Sequence, residues 1–216
     1  MNSKKYDPID GEYGRAAELA AYDMMRRRGF DVVDLPHGIY GKDLLCRSKC
    51  ELFYVECERR YEQSWGPWCE LFPYPEYNFP ARRVKERIDN RILIVFRSDL
   101  AKCLIVFYQD LRMAKKVVES NRHVDNETIY KIPVNRCLLI DTFADDQLSF
   151  AEMNRTRIMS LRSTVGKSQM QELVDGGRPY GVTEVDYHEI LNELTYEHNE
   201  HNKNKKAGVR QYKLFD

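Results

Sequence analysis

The sequence predicts an α/β fold. It has a helix, a three-strand meander, a second helix and further strands in a central mixed sheet, then a helical C-terminal addition. Three observations carry that prediction. Residues 12–28, EYGRAAELAAYDMMRRR, place Tyr13, Ala16, Ala17, Ala20 and Met24 on one side at helical spacing. FDVVDL, DLLCR and ELFYVECER follow as short strand-like runs separated by turn residues. RILIVFRS and KCLIVFYQ are two apolar, β-branched runs joined through SDLA, the pattern of a hairpin.

Each element has a local reason. Three arginines in the last turn of the first helix suit the negative end of its dipole, and Gly29 is a natural C-cap. HGIYGKD turns the chain from the first strand into the second, and a turn near Ser48 leads into the third. Residues 61–80 hold four prolines, both tryptophans and many other aromatics, with no helical period. They are expected to form an ordered loop packed by its aromatics, or a lid facing a substrate. After Pro80, ARRVKERIDN fits a short helix with proline just before its start. LRMAKKVVESN is expected to be helical. ETIYKIPVNRCLLID is a strand interrupted by Pro133, hence an edge strand or two short pieces. Beyond residue 145 the chain becomes polar and helical, and its end is basic. The expected division is therefore a core over 1–145 and a helical extension with a basic tail over 146–216.

Composition narrows the class. The 216 residues are 43% hydrophobic and 12% aromatic, enough for a real core, and 31% charged, as in ordinary soluble proteins. No apolar run is long enough to cross a bilayer and the N-terminus lacks a secretory signal, so the expectation is a cytoplasmic protein without a membrane partner. The six cysteines form no C-x-x-C pair. Cys46, Cys57, Cys103 and Cys137 lie in apolar segments and fit small core residues better than a zinc site. The 34 basic and 34 acidic residues cancel. Two basic patches stand out locally, RRVKERIDNR at 82–91 and NKNKKAGVRQYK at 202–213.

Carboxylates in the meander are the unusual feature, because strand interiors avoid acids. Asp43 opens the second strand, and Glu56 and Glu58 sit near the end of the third. Residues two apart on a strand share a face, so Tyr54, Glu56 and Glu58 point away from Phe53, Val55 and Cys57. Pairing through the Ser48 turn would bring Asp43 beside Glu56. Two readings follow. The glutamates face water and pair with Arg59, Arg60 or Lys42, or the acids hold a hard divalent cation, which takes oxygen ligands.

GKD (residues 41–43), VECE (residues 55–58), the preceding helix AAELAAYDMMRRRGF and the order of elements together resemble the PD-(D/E)XK, or restriction-endonuclease-like, nuclease superfamily over about residues 10–110. The resemblance implies a Mg2+- or Mn2+-dependent endonuclease that hydrolyses DNA phosphodiesters. Asp43 and Glu56 would be its metal ligands, with the backbone carbonyl of Cys57. Glu58 would orient or deprotonate the attacking water, or hold a second metal. Glu18 would be the helix glutamate of the family, with Glu12 an alternative by helical position. Arg82, Arg83 and Lys85 would contact DNA phosphates, and the aromatic loop could stack on unpaired bases. A homodimer would supply the two sites that a double-strand cut needs, although no motif of its own marks one.

The chain departs from the family at Glu58, where lysine is usual and a minority of restriction-type members carry glutamate. Lys85 is the first candidate to supply that lysine and Lys42 the second. The alternatives are a catalytically inactive nuclease-fold protein that binds DNA or another partner, and an unrelated α/β interaction protein. Other motifs lead nowhere. STVGKSQ lacks the first glycine of a phosphate loop, since position 161 is Leu161. HNEH at 198–201 has no partner ligands, and no G-x-S-x-G is present.

Overall fold

The computed structural model describes residues 8–35, 43–49, 52–83, 91–120, 125–144, 150–162 and the pairs 170–171, 187–188 and 191–192. Helix α1 spans Pro8–Arg27 and ends at Gly29, whose φ of +83° is the left-handed conformation a C-cap needs. Its buried residues are Ala17, Ala21, Met24 and Met25. That face is turned one step from the expected stripe, and Ala16 and Ala20 flank it.

Strands β1 (Asp31–Asp34), β2 (Leu44–Arg47) and β3 (Leu52–Arg59) form the expected antiparallel meander. Strand β4 (Glu76–Pro80) leaves for another sheet, and a 3-10 turn covers Ala81–Arg83. The remainder of the helix expected after Pro80 lies outside the described residues. Strand β5 (Arg91–Phe96) then returns parallel to β3, and β6 (Lys102–Phe107) pairs with it as the expected hairpin.

Pro133 divides the next segment. Strand β8 (Glu127–Pro133) belongs to the second sheet, while β9 (Leu138–Asp141) closes the edge of the first beside β6. The central sheet runs β1-β2-β3-β5-β6-β9, mixed and mostly antiparallel.

Two expectations need correcting. LRMAKKVVESN is not a helix: a 3-10 turn at Tyr108–Arg112 leads into strand β7 (Lys115–Glu119). Paired valines favour a strand, and pairing with β8 overrides the helical period. The aromatic segment also ends in a strand, β4, which with β8 and β7 makes a three-stranded sheet absent from the sequence reading.

That second sheet creates a second core. On one face of the central sheet, α1 covers Phe53, Val55, Ile92, Ile94, Phe96, Ile105 and Phe107. On the other, Leu93, Val95, Leu104 and Val106 meet Tyr77, Phe79, Ile132, Trp65 and Phe72. Every residue of β5 is consequently buried. The loop after β3 packs by its aromatics, with Trp65 and Phe72 edge to face at 5.1 Å, while Trp68 and Leu71 stay exposed. Cys46, Cys103 and Cys137 are buried free thiols, and Cys57 packs against the first core. Among the described residues, no helix is long and apolar enough to cross a membrane.

Helix α2 (Phe150–Arg162) is fastened to this body by a buried ion pair. Arg157 donates to Asp110 Oδ2 at 2.6 Å, to the Arg136 carbonyl at 2.7 Å and to Asn154 at 2.7 Å. Asp110 is fully buried, so removing its cation strands a carboxylate away from water. Arg157→Met is expected to cost about 3–5 kcal/mol of unfolding free energy, read by urea titration. A loss below about 1 kcal/mol would show that the pair does not anchor α2.

Candidate functional site

The acids meet where the β2–β3 ladder ends. Paired registers run from Arg47–Leu52 to Leu44–Val55. One residue further, the Asp43 N–H donates to the Val55 carbonyl at 3.0 Å, and the Cys57 N–H donates to Asp43 Oδ2 at 2.6 Å. The Asp43 carboxylate therefore lies against the peptide that joins Glu56 to Cys57. The expected pairing through the Ser48 turn is the one observed, and it sets Asp43 beside the third-strand acids.

Burial pushes the Asp43 carboxyl up to about 6, against the Cys57 N–H and Arg83, which lower it, and with Glu18 and Glu56, which raise it. Among the described residues no cation stands at ion-pair distance from Asp43. Its environment is one of crowded negative charge in a partly dry place.

Glu18 reaches this environment from α1, where its side chain is 14% exposed, whereas Glu12 is exposed. Glu18 follows Ala17 and so borders the buried face of the helix. Arg15 holds it at 2.7 Å and reaches Asp34 on β1 at 2.6 Å. That bridge ties α1 to the meander in front of Asp43.

Glu56 and Glu58 do face away from Phe53 and Val55, but that face is no solvent boundary. The second sheet covers it, and a polar seam fills the gap. Glu56 is 3.3 Å from Arg91, and Arg91 lies over the Tyr108 ring at 5.2 Å. Burial, then the nearby Glu56 charge, pushes the Tyr108 phenol far above its ordinary range. Glu58 is 2.8 Å from Arg83 and 3.0 Å from Arg60, and accepts a 3.1 Å bond from the Tyr77 hydroxyl. Burial alone would raise the Glu58 carboxyl, yet Arg83, Arg60 and Tyr77 together hold it below the ordinary carboxylate range.

Of the two readings of the glutamates, pairing with Arg60 is thus present for Glu58. The cations that matter more, Arg83 and Arg91, come from distant elements. The side chains of Arg82, Lys85 and Lys42 lie outside the described residues, as does HNEH. Arg59 stacks on Tyr13 at 3.9 Å instead of meeting the glutamates. Among the described residues, no three His, Cys, Asp or Glu side chains converge as metal ligands. A cation here would have to be held by two carboxylates, backbone and water. Sequence reasoning missed Arg91, Tyr77 and Tyr108. The signal was the unbroken apolar run of β5, which demands cover on both faces and so brings a second layer over the glutamates.

No protein-family model and no curated protein matches the chain. Among solved structures it is similar to a bacterial homing endonuclease at 13% identity, with a TM-score of 0.37, covering 76% of this chain and 100% of that one. A likeness so distant assigns no activity to this chain.

The Asp43 carboxyl predicts a pH dependence whose sign can be worked out. Its folded value of about 6 lies above the ordinary 3.8. The favourable contribution is complete below about pH 4, and it is lost as pH rises through 6, where the folded protein must ionise a crowded acid. Asn carries no such penalty and can still accept from the Cys57 N–H. In EDTA, Asp43→Asn is expected to be more stable than wild type at pH 8 by about 2 kcal/mol, with the gain fading by pH 4. Denaturant unfolding at the two pH values checks this, and a less stable Asn variant at pH 8 would refute it.

Proposed function

We propose that the protein is a metal-dependent endonuclease that hydrolyses DNA phosphodiesters. One observation carries the reading. A partly buried aspartate lies against the Glu56–Cys57 peptide, with two further acids near it and no described cation at ion-pair distance. Arg15 and Arg91 neutralise Glu18 and Glu56, but the Asp43 charge has no such partner among the described residues. Leaving it so in a partly buried place is costly, and a divalent cation relieves it. Asp43 and Glu56 supply hard oxygen donors, and magnesium is commonly bound by one or two carboxylates with the remaining positions left to water and phosphate. In a strand, a residue's N–H and C=O project to the same side, so the Cys57 carbonyl lies on the same edge of β3 as the N–H that meets Asp43. Two carboxylates with a backbone carbonyl, completed by water, are donors of the kind Mg2+ or Mn2+ takes, so Asp43, Glu56 and the Cys57 carbonyl are the residues that would hold the ion. When bound, the ion supplies a more acidic water and offsets charge developing on phosphate.

The chain's own residues do the positioning. Arg91 holds Glu56, Arg15 holds Glu18 beside Asp43, and the second sheet limits water on the inner side. In the reaction, a water oxygen bonds to phosphorus and one P–O ester bond breaks. The departing oxygen takes up a proton while the attacking water gives one up. Arg82 and Lys85 are proposed to meet the DNA backbone, and two copies of the chain would serve both strands. A second reading, a catalytically silent protein of the same fold, is favoured by one observation: Glu58, at the usual lysine position, is tied to Arg60, Arg83 and Tyr77.

Incubation with supercoiled plasmid and single-stranded DNA in magnesium, manganese or EDTA separates the two. Wild type is expected to cleave only with metal, and Asp43→Asn and Glu56→Gln to lose at least about a hundredfold in rate while remaining folded. Metal-dependent cleavage that survives in Asp43→Asn would place the centre elsewhere. Absence of cleavage under every condition would favour the silent protein.

A further inference from the structure

Glu58 is not available to act on water. Its Oε1 is 3.0 Å from Arg60, and its Oε2 takes both Arg83, at 2.8 Å, and the Tyr77 hydroxyl, at 3.1 Å. Oε1 is in ion-pair contact and Oε2 is hydrogen-bonded, and the side chain is only 20% exposed. What this arrangement does is fix two guanidinium groups in the seam.

The two cations differ in what else they face. Arg60 lies over the Tyr77 ring at 5.2 Å, within the second layer. Arg83 comes from the turn after β4, keeps 31% of its side chain exposed, and has none of its nitrogens among the buried atoms left without a partner. Glu56 and Glu58 share a face of β3 about 7 Å apart, so a cation seated on Glu58 stands next to Glu56. The charge of Arg83 accordingly reaches Glu56 and Asp43 as well as Glu58.

We propose that Arg83 is the cation of the reacting centre, with one edge of its guanidinium held by Glu58 and the other turned to the phosphate that Asp43 and Glu56 address. Glu58 is then a positioning residue for Arg83 and not a base. This rests on the nuclease reading. The chemistry suits arginine, whose five N–H groups form a rigid fork, so one edge can bind a carboxylate while the other binds phosphate. An ammonium is a point charge and cannot serve both sides in fixed geometry. As water adds to phosphorus, negative charge builds on the phosphate oxygens, and a pre-positioned donor there acts most strongly in the transition state.

The test combines steady-state cleavage with duplex-DNA binding by fluorescence anisotropy in EDTA, on variants verified as folded by circular dichroism. Arg83→Gln is expected to lower kcat about a hundredfold, with KM and metal-free affinity within about twofold of wild type. Glu58→Gln should show the same split, and the double variant should be no worse than Arg83→Gln, because both act through one group. Should Arg83→Gln fail to fold, Arg83→Lys decides. It keeps the pair with Glu58, and its kcat is expected to fall about tenfold. Unchanged kcat in the folded Arg83 variant, or a loss confined to KM and affinity, would make Arg83 an ordinary backbone contact and overturn the proposal while the nuclease reading stood. Wild type that cleaves nothing would remove the nuclease reading and this proposal with it.

Discussion

The bond from the Cys57 N–H to the Asp43 carboxylate is the constraint around which the site is arranged. It closes the open end of the β2–β3 ladder with a side chain where a backbone partner has run out. In doing so it holds a carboxylate in a partly buried position that its own charge disfavours. The same bond keeps Asp43 against Glu56, so the local requirement to satisfy a strand N–H and the crowding of acids are one feature.

That feature persists because the layers around it are stiff. The central sheet is packed on both faces, by α1 on one and by the β4-β8-β7 sheet on the other. Between the sheets, Glu56 and Glu58 cannot be hydrated freely, and arginines from β5 and from the turn after β4 supply their counter-charge. Tyr77 and Tyr108 line the same gap with phenols whose ionisation is suppressed by burial. In such surroundings each ion pair is stronger than on a surface, and each unpaired charge is more costly. Asp43 stands at the rim of this network without a cation of its own among the described residues.

Much of the central sheet was legible because its signals are local. Alternation in LFYVECER, the turn at Ser48 and the twin runs RILIVF and KCLIVF specify the meander and the hairpin directly. The break at Pro133 was legible for the same reason. The second sheet was not, because β4 is hidden in a proline- and aromatic-rich segment and β7 in a lysine-rich one, and both become strands only by pairing with β8. Of the candidate site, the approach of Asp43 to Glu56 followed from strand geometry. The partners of Glu56 and Glu58 did not, since Arg83 and Arg91 are 25 and 35 residues further along the chain and reach them only through the tertiary fold. Glu18, named from the family resemblance although it lay off the predicted stripe, borders the buried face of α1 because that face centres on Ala17 and Ala21, one step round.

The central claim, that Asp43 and its neighbours hold a divalent cation, is tested most directly without any substrate. Thermal unfolding of wild type and Asp43→Asn would be followed at pH 7.5 across a manganese titration. A ligand that binds only the folded state raises its stability by RT ln(1 + L/Kd), which keeps growing with the ligand concentration L, so wild type should melt at progressively higher temperature while Asp43→Asn stays flat. Equal shifts in the two proteins, or no shift in either, would contradict the account and leave the acids as a structural cluster only.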